Sequence, residues 1–150
     1  IMENASTNFI SSTMWTERIG TSAAIECLNV MEKTKSWLKI TETGKWLKNQ
    51  WRALAKLHNL KIDVMGLDAI PNFTFNSHNH NAYKTLITQE FLKNNMLATN
   101  KIFISVLHNK KNLQKYLDQL DKVFSIIKRV ENGENINNFL SHPVSYNPYI

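Results

Sequence analysis

Lys61-Ile62-Asp63-Val64-Met65-Gly66, followed after Leu67-Asp68 by Ala69-Ile70-Pro71-Asn72-Phe73-Thr74-Phe75, decides the fold class of this chain. Apolar residues alternate in both stretches, at Ile62 and Val64 and again at Phe73 and Phe75. That period belongs to a strand with one face in a core. Gly66 and Pro71 break the chain around them. Two short strands so close together predict a small antiparallel sheet.

The sequence on either side has a helical period. From Thr16, an N-cap residue, with Glu17 in the first turn where a carboxylate suits the dipole, a helix is expected to about Met31. Its stripe is Ile25, Leu28 and Met31. A longer helix is expected over Ser36 to His58, with Leu38, Thr41, Leu47, Trp51, Leu54 and Leu57 on one buried face. Ala82 to Asn94 reads as a third helix, through Tyr83, Leu86, Ile87 and Phe91. Lys101 to Leu107 is a β-branched and aromatic run that reads as a further strand. Asn109 is suited to cap a last helix carrying Leu113, Tyr116, Leu117, Leu120, Phe124 and Ile127, which Gly133 stops. The tail from Glu134 holds Pro143 and Pro148 and is expected to be irregular, needing another surface to lie on. The predicted class is α+β, a small antiparallel sheet covered by helices on one side. Residues 1–20 read as a linker loop, 21–133 as the domain and 134–150 as the tail.

Composition narrows the partners. A chain of 150 residues, 43% hydrophobic and 20% charged, can bury a core without disulfides or a structural metal. Its one cysteine, Cys27, lies in a helix stripe and reads as a buried structural thiol, which favours a reducing, cytoplasmic setting. No apolar run approaches a membrane span, so no membrane partner is expected. The formal charge of +6 raises nucleic acid as a partner. Against it, the lysines are scattered and only Arg18, Arg52 and Arg129 could read bases or phosphates as arginine does. No nucleic-acid partner is expected. His78 and His80 sit in a polar turn with no second metal-type cluster, so no metal is expected. Trp15, Trp37, Trp46 and Trp51 read as core or domain-interface anchors. The chain opens on Ile1, and missing upstream sequence is expected.

The chemistry sits in Phe9-Ile10-Ser11-Ser12-Thr13-Met14-Trp15-Thr16-Glu17-Arg18-Ile19-Gly20, followed by Thr21-Ser22-Ala23-Ala24. Three adjacent hydroxyls ahead of a helix can donate hydrogen bonds to a phosphate within the helix field. Spacing alone favours a polar capping loop.

This stretch resembles the start of the small domain of class III pyridoxal-phosphate (PLP) aminotransferases, in the glutamate-1-semialdehyde aminomutase-like branch. Further landmarks follow in the family's order. The helix from Ala23 to Met31 is similar to its small-residue helix, and Gly44-Lys45-Trp46-Leu47 resembles the Gly-x-x-Leu that opens its long helix. Ala69 to Phe75 resembles the sheet segment after it. Leu97-Ala98 and Ile104-Ser105-Val106-Leu107-His108 resemble its last strand, and Leu140-Ser141-His142-Pro143-Val144 a Leu-x-Gly-Pro-Val near its end. The likeness spans nearly the whole chain.

The resemblance implies a fold type I PLP transferase, of which this chain is the C-terminal small domain. It implies that Thr13, with Ser12 as a second contact, binds the cofactor phosphate of the other subunit in a homodimer. Many class III enzymes continue from that threonine with Gly-Asn-Pro, where this chain has Trp15-Thr16-Glu17-Arg18. Trp15, Glu17 and Arg18 are therefore the substrate-side candidates, with a structural ion pair or cap an equal reading for Glu17 and Arg18. The family's reactive lysine lies upstream of where this chain begins, and none of the fifteen lysines here has a matching context. The implied partners are an N-terminal large domain, a second identical subunit and a small amino donor or acceptor. Alone, the chain is expected to be inactive and prone to self-association through apolar surface. The alternative is a non-catalytic, basic α+β interaction module of aminotransferase-like shape.

Overall fold

The computed structural model describes residues 17–145. The chain divides into two compact units at Ser36 and Trp37. In the first, helix α1 (Arg18–Thr34) is entered through Glu17, which holds the N-cap position with extended backbone and no side-chain cap bond. The helix therefore begins one residue later than its carboxylate led one to expect, and the expected cap, Thr16, lies outside the described residues. It also runs past Met31 to Thr34. Lys35 closes it in the left-handed region (φ 48°), donating its N–H to Met31 O. The stripe Ile25, Leu28 and Met31 is exposed at 61%, 64% and 38%. Cys27 is exposed as well, which corrects the buried-thiol reading. Amphipathic spacing specifies a face and not what covers it.

The second unit carries the core. Helix α2 (Ser36–Leu57) buries Gly44, Leu47, Trp51 and Ala55. Two expected members of its stripe, Leu38 and Leu57, are exposed. Leu57 follows Ala55 by two residues, roughly 200° around the helix, which turns it to the opposite face. Gly44 lies inside this helix rather than at its start, and packing explains why it is glycine. A Cβ there would stand 1.7 Å from Asp68 O. Lys48 clamps the same crossing, its Nζ donating to Gly66 O at 2.6 Å and to Asp68 Oδ1 at 2.9 Å.

Strands β1 (Ile62–Met65) and β2 (Asn72–Phe75) pair antiparallel, with Ile62 opposite Phe75 and Val64 opposite Phe73. These four side chains face the core, and Phe73 meets Trp51, Phe75 and Phe124 edge-on at 4.9, 5.7 and 5.9 Å. Such contacts add roughly 0.5–1.5 kcal/mol each beyond their buried area. Asp63 and Met65, on the other face, are exposed.

The expected third strand is corrected. Residues 101–107 make a single antiparallel bridge, Lys101 to Asn72. The bonds beyond it run one way, Ile102 N–H to Pro71 O and Ile104 N–H to Ala69 O. Opposed residues in an antiparallel ladder exchange two bonds, and Pro71 has no N–H to return. The run thus lies along the sheet without joining it as a strand.

Helices α3 (His80–Leu92) and α4 (Lys110–Glu131) complete the layer over the sheet. Asn109 caps α4 by accepting from Asn112 N–H at 2.9 Å. All six residues of the expected α4 stripe are buried. Gly133 ends the helix at φ 111°, with its own N–H donated to Val130 O and that of Glu134 to Arg129 O. That pair of bonds is the glycine-terminated Schellman arrangement. The tail makes one short 3-10 turn (Ile136–Asn138) and is pinned to α3 by Gln89. Gln89 Nε2 donates to Phe139 O, and its Oε1 accepts from Ser141 N–H.

Candidate functional site

The amino end of α1 is the candidate site. Ser12, Thr13 and Trp15 lie outside the described residues, and Glu17 and Arg18 are the two candidates within them. Both are exposed, and neither takes part in an ion pair among the described residues. Thr21 Oγ1 donates back to Arg18 O at 3.0 Å, which ties the first turn together. The first N–H groups of a helix have no partner within it, and the Glu17 side chain at the N-cap does not bond them. Gly20 has open space on its side-chain face. Donors with the positive end of a helix dipole follow the hydroxyl-rich stretch Ser11-Ser12-Thr13 in sequence.

Imine formation requires a lysine amine that is desolvated or held near another cation. All the lysines are exposed except Lys48 and Lys128, which are half-buried. Lys48 is engaged by Asp68, whose carboxyl is held below its ordinary pKa chiefly by the Lys48 hydrogen bond, against a smaller opposing effect of desolvation. Lys128 Nζ donates to Asn59 O at 3.3 Å. Both half-buried amines are thus engaged in hydrogen bonds to residues of other elements.

Sequence reasoning missed three polar constellations, because each joins residues 48 to 65 positions apart. Trp51 Nε1–H donates to Tyr116 Oη at 3.1 Å inside the core. Burial pushes the Tyr116 phenol well above its ordinary pKa. Tyr83 Oη and Ser77 Oγ both donate to Glu131 Oε1, at 2.6 and 2.8 Å. Desolvation first, and the Glu131 carboxylate second, raise the Tyr83 pKa. His58 Nε2 and Asp121 Oδ1 lie 2.7 Å apart, joining the end of α2 to α4. Each ties one element to another. His78 and His80 are exposed at the start of α3, and no group of three metal-ligating side chains occurs among the described residues. Of the tryptophans, Trp51 is buried, Trp46 packs against the core and Trp37 is exposed. No helix among the described residues is long and apolar enough to cross a membrane.

No family model matches the sequence, and no curated protein matches it either. The fold does have a solved counterpart, the FumI protein of Sphingopyxis sp. MTA144, whose structure is of its PLP internal aldimine form. The likeness has a TM-score of 0.72 at 19% sequence identity and covers 91% of this chain. It covers 34% of the FumI chain, so this chain spans about a third of its counterpart's length. The fold of this chain is thus similar to that of one part of the FumI chain.

Proposed function

We propose that this chain is the C-terminal small domain of a PLP-dependent aminotransferase or aminomutase of the glutamate-1-semialdehyde aminomutase-like type. The observation that carries the reading is the fold likeness over nearly the whole chain to part of a PLP-bound protein, taken with the Ser11-Ser12-Thr13 sequence ahead of α1.

In this reading the Thr13 hydroxyl and amide, with Ser12, donate hydrogen bonds to the cofactor phosphate of a second, identical subunit. The amino end of α1 adds a favourable field for the dianion. Trp15 walls the substrate cavity, and Glu17 and Arg18, exposed here, meet the substrate or the neighbouring domain. PLP, when bound, supplies the electron sink for amino transfer. The lysine that holds it belongs to an N-terminal large domain outside these residues, and the chain by itself is inactive. The single exposed thiol, Cys27, fits a reducing, cytoplasmic setting.

Peptide mapping tests this. The intact protein, reduced with borohydride to fix the cofactor to its lysine, is digested and sequenced by mass spectrometry. The expected pyridoxyl mark falls on a lysine outside residues 1–150. A mark on any of the fifteen lysines of this chain, or none anywhere in the intact protein, overturns the proposal.

A further inference from the structure

The second unit holds a groove of about 650 Å³, the size of a small-molecule site. Its walls come from Thr88 on α3, from the extended run after Asn95 and from the first turns of α4. Met96, Ala98, Ile102 and Leu113 make the floor apolar, and all four are half-buried or buried. Phe103 stands at the rim, 69% exposed.

The charge around this apolar surface has one sign. Lys101, Lys115 and His108 line the groove, and among the described residues no carboxylate does. Neither ammonium has a carboxylate partner among the described residues. His108 is fixed in one tautomer: Ser105 N–H donates to its Nδ1 at 3.0 Å, so the ring proton sits on Nε2. Two lysines and His108 thus border a groove whose remaining lining is largely apolar. A small hydrophilic anion would leave that floor unused, and a neutral hydrocarbon would leave the donors unused. A ligand using both carries an anionic head on an apolar body.

We propose that this groove binds a carboxylate borne on a medium-length alkyl chain or an aromatic ring, its head held by Lys101, Lys115 and His108. None of these residues belongs to the cofactor contacts assigned above, so the site stands whether or not those are right.

The probes are decanoate and decanol, titrated below their aggregation limits into the chain and followed by amide NMR shifts. Decanoate is expected to shift residues 96–103 and 112–116 saturably, and to bind about tenfold more tightly than decanol. Replacing both lysines (Lys101→Met with Lys115→Met), which are exposed and leave the core untouched, is expected to abolish that preference. Thr88→Trp, which fills the groove, is expected to weaken both probes. Shifts scattered away from these segments, equal binding of the two probes, or a preference kept by the double variant would each overturn the assignment.

Discussion

A methyl group on Gly44 would sit 1.7 Å from the backbone oxygen of Asp68, in a turn that Lys48 ties down through Gly66 O and Asp68 Oδ1, so the collision is with backbone and not with a flexible side chain. Helix propensity alone would make Gly44→Ala stabilising by about 1 kcal/mol. The collision reverses the sign, and urea unfolding is expected to show a loss of about 2–4 kcal/mol. At Tyr116 the cost is polar. Tyr116→Phe leaves the buried Trp51 Nε1–H without its acceptor, an expected loss of about 1–3 kcal/mol at neutral pH in the same measurement. The folded-state pKa of Tyr116 is raised by burial, so the native protein holds its proton where the unfolded chain has released it. The contribution to stability is whole below about pH 10 and falls as pH rises beyond it, by up to about 1.4 kcal/mol per unit. Unfolding midpoints measured across that limb are expected to fall less steeply in Tyr116→Phe. None of this was legible in the sequence. Trp51 and Tyr116 read only as apolar stripe members, since a pairing across 65 positions leaves no local pattern.

At the scale of elements, local signals were read well where they are self-sufficient. Asn109 and Gly133 bracket α4 because a cap and a left-handed terminator act within a few residues of themselves. Asn109→Ala is expected to cost about 1 kcal/mol, read from thermal unfolding, with the far-ultraviolet helical signal at low temperature nearly unchanged. The run from Lys101 to Leu107 shows the opposite case. Its composition is that of a strand, but a strand needs a willing neighbour, and the neighbour contains Pro71. The stripe of α1 is a further instance, since Ile25, Leu28 and Met31 have the spacing of a buried face and remain exposed.

For the whole molecule, that uncovered stripe is a property with consequences. Ile25 and Leu28 present apolar surface that the proposed large domain would cover, so the isolated chain is expected to self-associate. Ile25→Lys with Leu28→Lys is expected to shift light scattering toward monomer with little change in unfolding midpoint, because neither residue belongs to the buried core. A monodisperse parent chain would contradict this. The fold class, α+β with an antiparallel hairpin under helices, was legible from two periodicities. The proposed site rests on resemblance alone, because Ser12 and Thr13 carry no spacing that separates a phosphate grip from a capping loop. Coenzyme retention tests the central claim most directly. The intact protein and its Thr13→Ala variant are dialysed in parallel, and the visible absorbance of retained PLP is followed. The variant is expected to lose the coenzyme at roughly tenfold or greater weaker affinity; retention equal to that of the parent would contradict the account.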